Sequence, residues 1–162
     1  MCYKFPMQKY QEKFLKHIWA KKTPNGREVE LISKAKKHCK TLRRIPGVEM
    51  IAVCNSLSFY STHENSDIDL IIVTKPGRMW TVRILATIFL VLLWQKRPNL
   101  NNVIPDRDPE TSSGWRVVGK FCLSFFCTTN ALDFSKIAIE DDVYLYFWMR
   151  FLKPIIDKNG TY

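Results

Sequence analysis

Asp67 and Asp69 stand one residue apart at the head of Asp67-Ile68-Asp69-Leu70-Ile71-Ile72-Val73, a run that is otherwise aliphatic. Such a run predicts a buried strand. Side chains alternate along a strand, so the two carboxylates share a face, with Cα atoms roughly 7 Å apart. Two acids fixed side by side on an apolar strand are costly unless a cation stands between them. Hard oxygen donors suit a divalent ion of the magnesium or manganese type. Asp67 and Asp69 are therefore the candidate metal ligands and the candidate catalytic residues.

The elements around the pair must hold it in place. Val48 to Cys54 reads as a second apolar strand, ended by Asn55-Ser56, and a polar ten-residue stretch, Leu57 to Ser66, leads back to the acids. Upstream, Asn25 with Glu28 three residues on has the spacing of a capping box, and Val29, Ile32, Ala35, Cys39 and Leu42 recur at helical intervals. These predict an amphipathic helix over 26–44, stopped by Ile45-Pro46-Gly47. A short helix over 7–21 precedes it. Downstream, Lys75-Pro76-Gly77 is a turn, 78–96 a core helix packed on the sheet, and 98–114 a loop. Trp115 to Cys127 has strand character, with Trp115, Val117, Phe121, Leu123 and Phe125 on one face and Arg116, Lys120 and Ser124 on the other. Glu140-Asp141-Asp142 opens a last helix whose body is Val143 to Leu152; acids there offset the helix dipole and read as structural. The fold class is α+β, a small mixed sheet with helices packed on one side.

The chain has 162 residues, enough for one domain with a proper core, and 46% hydrophobic residues exclude wholesale disorder. Five scattered cysteines (Cys2, Cys39, Cys54, Cys122, Cys127) form no Cys-x-x-Cys pair and read as reduced thiols of a cytoplasmic protein. Ile84 to Trp94 is apolar apart from Thr87, but it is too short for a span of about 20 residues, so no membrane partner is expected. The net charge of +10 is lopsided: residues 1–46 carry thirteen Lys and Arg against three acids, and the remainder is neutral. Residues 1–25 read as a basic N-terminal extension ahead of a domain over 26–162. With Tyr3, Phe5, Tyr10, Phe14 and Trp19 interleaved among its lysines, the basic region fits a nucleic-acid backbone; the plainer alternative is a solvated helical surface.

The order strand, Asn55-Ser56, ten residues ending in Ser66, then Asp67-Ile68-Asp69 resembles the signature of the polymerase-beta-like nucleotidyltransferase superfamily, above all its minimal type. Ala52-Val53-Cys54-Asn55-Ser56-Leu57, Ile72-Val73-Thr74-Lys75-Pro76-Gly77-Arg78 and Lys120-Phe121-Cys122-Leu123-Ser124-Phe125-Phe126 resemble bacterial nucleotidyltransferase-domain proteins, from about residue 28 onward. The resemblance implies metal-dependent transfer of a nucleoside monophosphate from a nucleoside triphosphate such as ATP to an acceptor. Asp67 and Asp69 would hold Mg2+ or Mn2+, and Asn55, Ser56 and Ser66 would form the nucleotide-binding side, with Ser56 on the β- and γ-phosphates. Asn55 stands where the family has glycine, and asparagine is the non-glycine residue that best accepts left-handed geometry. The family's third carboxylate, on a later strand, has no counterpart: no acid lies between residues 111 and 132, leaving Asp106, Asp108, Glu110 and Asp133 as substitutes. Lys120 and the loop residue His63 are further candidates to meet a phosphate. The alternative is a catalytically weak protein of the same fold, binding nucleic acid or, as the resemblance implies, a small helical partner of the toxin–antitoxin type. Similar proteins continue past Tyr162, so a domain truncated at its C-terminus is expected.

Overall fold

The computed structural model describes residues 20–64, 66–95, 120–134 and 143–162, together with His17. In chain order the elements are helix α1 (Gly26–Leu42), strand β1 (Val48–Val53), a single turn α2 (Asn55–Ser58) and strand β2 (Ile68–Thr74). Helix α3 (Met79–Gln95), strand β3 (Phe121–Thr128), helix α4 (Val143–Arg150) and strand β4 (Lys153–Asp157) follow. The four strands make one mixed sheet in the order β3-β2-β1-β4, with β1 antiparallel to both neighbours and β2 parallel to β3. An α+β architecture follows. The expected helix over 7–21, apart from His17, Ala20 and Lys21, lies outside the described residues. So do the loop over 98–114, residues 115–119 and the acidic trio Glu140-Asp141-Asp142.

Two apolar layers hold the sheet. Ile68, Leu70 and Ile72 of β2 join Val48, Ile51 and Val53 of β1 against Leu31, Ala35, Cys39 and Leu42 of α1 and Val82 and Ala86 of α3. The alternate residues, Ile71 and Val73 with Met50, Ala52 and Cys54, pack against Phe134, Met149 and Leu152, with Leu145 and Trp148 partly buried beside them. Helices thus lie on both faces: α1 over β1 and β4, α3 over β2 and β3, and α4 on the reverse. The expectation of helices on one side is corrected here. The central strands are apolar at both parities, and each face needs its own cover.

Three further elements differ from the sequence reading. Lys153–Asp157, where Pro154 predicts the end of a helix, is an edge strand, a place where proline is tolerated. The stretch after Asn55 begins with a helical turn whose Leu57 and Ser58 are buried. Helix α3 is a core helix along one stripe only. Val82 and Ala86 are fully buried, while Trp80 (65% exposed), Ile84, Leu85, Ile88, Val91 and Leu92 (56%) face outward. Among the described residues no helix is long and apolar enough to cross a membrane.

The capping box expected at Asn25 is present and does more than cap. Asn25 Oδ1 accepts from Glu28 N–H at 2.9 Å, and Glu28 Oε2 accepts from Asn25 N–H at 2.8 Å. Glu28 is fully buried, ion-paired to Lys21 at 3.0 Å, and its Oε1 accepts from both the amide (3.2 Å) and the hydroxyl (3.1 Å) of Thr62. A helix-capping carboxylate therefore pins the loop that runs from Ser56 to Asp67. Arg27, donating to the Glu64 carbonyl, and Lys21 N–H, donating to the Phe59 carbonyl at 3.0 Å, pin it twice more.

Burial raises the Glu28 carboxyl, but the donors from Asn25, Lys21 and Thr62 outweigh it and hold the group below its ordinary value of 4.5. A lowered folded value gives stability that is complete above the ordinary value and lost as pH falls through the folded one. Glu28→Ala, which orphans those donors, should cost about 2–3 kcal/mol in urea titrations. Glu28→Gln should flatten the loss of stability in acid below pH 4.5.

Candidate functional site

Antiparallel pairing of β1 with β2 sets Val53 opposite Leu70, which brings the chain reversal after β1 beside the head of β2. Cys54 N–H donates to the Asp69 carbonyl at 3.1 Å, extending the ladder one step past β1. The next residue, Asn55, has φ +57°, the left-handed conformation that its type accommodates and that turns the chain into α2. Ser58 Oγ closes this turn on the Asn55 carbonyl at 2.7 Å.

The five site residues expected from sequence lie around this corner, and all are half-buried. Asp69 points to the α4 side of the sheet, as its parity with Ile71 and Val73 requires. Its Oδ2 accepts from Asn55 Nδ2 at 3.2 Å and its Oδ1 from Ser124 Oγ at 2.8 Å. Asp67 lies just ahead of β2, and its Oδ1 accepts from the Lys120 amide at 3.2 Å. The two carboxylates act together on one neighbour, the Cys122 thiol, which burial raises and both acids raise further while Ser124 opposes them. Ser56 sits at the corner and offers its carbonyl to Ser61 N–H at 2.9 Å. Ser66 is turned inward on its own loop: its Oγ accepts from His63 N–H at 2.7 Å, closing a short turn before Asp67.

Strand β3 supplies the part that sequence reasoning did not reach. Asp69 pairs with Cys122, Leu70 with Leu123 and Ile71 with Phe125, so Ser124 is the extra residue of a bulge. A bulge re-aims its side chain, and here it directs the Ser124 hydroxyl onto Asp69. The same step puts Phe125 on the α4 face while Phe121, Leu123 and Phe126 stay on the other, correcting the single apolar face expected for this strand. Helix α4 adds Tyr144, whose hydroxyl donates to Asn55 Oδ1 at 3.0 Å. Burial raises the Tyr144 phenol, and Asp69 and Cys54 raise it further. Nothing in the sequence ties a tyrosine so distant to Asn55. Ser124 had one signal, its shared face with Lys120.

Lys120 lies close to Asp67. Burial holds its ammonium below the ordinary lysine value, and Asp67 pulls the other way. Burial lifts the other thiols, Cys39 to about 12 and Cys127 to about 11, while Cys54 is raised by burial and then by Asp69. These groups stay protonated and inert.

The third carboxylate is not supplied by the described part of β3. Beside Asp69 stand Cys122 and Ser124. Asp133 follows the opposite end of the strand, where Thr128 pairs with Thr74, about 16 Å along the sheet from Asp69. Asp106, Asp108 and Glu110 lie outside the described residues. Among the described residues no three His, Cys, Asp or Glu side chains gather as a metal cluster. What the corner offers is a pair of carboxylates, flanked by a serine hydroxyl, an asparagine amide and a lysine. Of these, the two carboxylates and the hydroxyl are hard oxygen donors of the kind a magnesium-type ion takes; the amide nitrogen and the lysine are not ligands.

The Ser124 bond is charge-assisted and partly shielded. Ser124→Ala should cost about 1 kcal/mol in chemical denaturation, with secondary structure unchanged by circular dichroism.

Compared with known proteins, the chain matches no family model, no curated protein and no solved structure, so its site stands on its own residues and geometry.

Proposed function

We propose that the protein is a metal-dependent nucleotidyltransferase, moving a nucleoside monophosphate from a nucleoside triphosphate to an acceptor. The observation that carries this proposal is the corner itself: Asp67 and Asp69 at the head of an inner strand, with the Asn55-Ser56 turn of the neighbouring strand alongside. Phosphoryl transfer asks mainly for positioning and for charge to offset the phosphoryl oxygens. Asp67 and Asp69 would hold magnesium or manganese, which supplies that charge when bound. Ser56 and the turn would hold the β- and γ-phosphates, and Lys120 would lie near enough to Asp67 to meet one of them. The acceptor hydroxyl oxygen would bond to the α-phosphorus and release its proton to solvent, while the α-phosphorus bond to the bridging oxygen breaks and pyrophosphate leaves with that bonding pair.

Magnesium with ATP should raise the melting temperature, by an amount equivalent to about 2.7 kcal/mol at a hundredfold excess over Kd. Asp67→Asn/Asp69→Asn should remove the rise; an unchanged rise in that variant would refute the metal assignment. Incubation with α-labelled triphosphates and mixed RNA and protein acceptors should transfer label from the parent and none from Asp69→Asn.

A second reading has its own observations. Ser124, not an acid, faces Asp69 from β3, and one side of α1 presents Lys36, Lys37 and Lys40, followed just past its end by Arg43 and Arg44, all exposed. The three lysines lie on the side of the helix away from the buried Leu31, Ala35, Cys39 and Leu42. On this reading the protein binds nucleic acid through phosphates and turns over little. Affinity for a generic duplex should then fall steeply with salt, and Lys36→Glu/Lys40→Glu should lessen the slope by about 2. Label transfer lost in Asp69→Asn decides for the enzyme; salt-sensitive binding without transfer decides for the binding protein.

A further inference from the structure

Asp69 has no oxygen left to itself. Asn55 Nδ2 donates to Oδ2 at 3.2 Å, Ser124 Oγ donates to Oδ1 at 2.8 Å, and the Cys122 thiol is a third hydrogen-bond partner of the carboxylate. A carboxylate only accepts, so the amide must turn its nitrogen toward Asp69. The amide oxygen is held from the other side by the Tyr144 hydroxyl at 3.0 Å. The result is a chain of side-chain hydrogen bonds, Tyr144 to Asn55 to Asp69, reaching from α4 across β1's turn to β2, with Ser124 closing it from β3. Asn55 is in place to do this because its backbone is left-handed, at φ +57°. That geometry does not need the side chain, since glycine adopts it freely.

We propose that Asn55 is a lock on Asp69: its amide occupies the position on Oδ2 that a divalent cation takes, and Tyr144 keeps the amide there. This rests on the metal-dependent reading above. With the amide in place Oδ2 would be less available to a cation, while the Ser124 hydroxyl on Oδ1 would orient the carboxylate. The apparent affinity for the cation is lowered by the fraction of protein in which the amide is in place. Because Tyr144 lies on α4, anything that moves the start of that helix changes the affinity at Asp69 without touching it.

The test is Mn2+ binding followed by electron paramagnetic resonance on the full chain, with and without ATP. Asn55→Gly, which removes the amide and keeps the turn, should bind Mn2+ about tenfold more tightly than the parent, the equivalent of one hydrogen bond to a charged group. Tyr144→Phe, which frees the amide to rotate, should give a smaller gain of about threefold. Asp69→Asn in the Asn55→Gly background should abolish the gain, which a general loosening of the fold would not predict. Equal or weaker Mn2+ binding by Asn55→Gly overturns the lock while leaving the nucleotidyltransferase reading intact. Absence of Mn2+ binding in parent and variants alike overturns both. Should Asn55→Gly lose its cooperative melting, Tyr144→Phe decides alone: an affinity equal to the parent's sinks the lock.

Discussion

Strand β2 is buried on both sides, and its two-residue repeat governs the corner where the acids lie. Ile68, Leu70 and Ile72 are committed to the layer under α1 and α3, and Ile71 and Val73 to the layer under α4. A shift of one residue would exchange the two sets and thrust Asp69 into the larger core, at a cost no surrounding contact offsets. Register is therefore fixed by the apolar residues, and the carboxylates take the positions left to them. The sheet order adds the second restriction. With β2 between β1 and β3, the described residues that reach Asp69 come from the turn after β1, from the head of β3 and from an element crossing the α4 face. Asn55, Ser124 and Tyr144 are one from each.

Two half-shielded or buried acids in this chain are treated in opposite ways. Glu28 accepts from two backbone amides and a hydroxyl and is paired with Lys21, so its oxygens are used in full by permanent neighbours. It serves to fasten the loop to α1. Asp69 has only side-chain partners, Asn55, Ser124 and the Cys122 thiol, and no cation against it at hydrogen-bond distance among the described residues. Side-chain donors can rotate away where backbone amides cannot. Glu28 is thus held largely by groups fixed in the backbone, and Asp69 by side chains that can turn.

How much of this is legible in the sequence depends on the range of the interaction. The capping box at Asn25, the two strands of the acid hairpin and the left-handed Asn55 are local, decided by neighbours within a few residues, and they stand as expected. The need for a second layer is written in the unbroken apolar runs Met50–Cys54 and Leu70–Val73, but which element supplies it is not, because nothing local sends α4 to the reverse face. Pro154 signals a helix end to any local reading, and only the open side of β1 makes Lys153–Asp157 a strand. The site divides in the same way. Asp67, Asp69, Asn55 and Ser56 lie in one short stretch. Ser124 depends on a bulge that no residue type announces, and Tyr144 on the packing of α4. The outward apolar side of α3 is hidden from a sequence reading too, since a helix that is apolar nearly all round does not declare which side meets the sheet.

The pairing of β1 has a consequence for how the chain folds. Its contacts with β2 close within a short hairpin, Val53 with Leu70, while those with β4 join Met50 to Asp157, more than a hundred residues apart. Local pairs form early and distant ones late. The acid hairpin can assemble as soon as it leaves the ribosome, but the other edge of β1, with its row of unpaired amides and carbonyls, stays open until Lys153–Asp157 has been made. An open edge of that kind is the part of a nascent sheet most prone to pair with the wrong strand. Between synthesis of β1 and of β4 this edge is therefore exposed to misassembly, and pairing with the short strand containing Pro154 covers it.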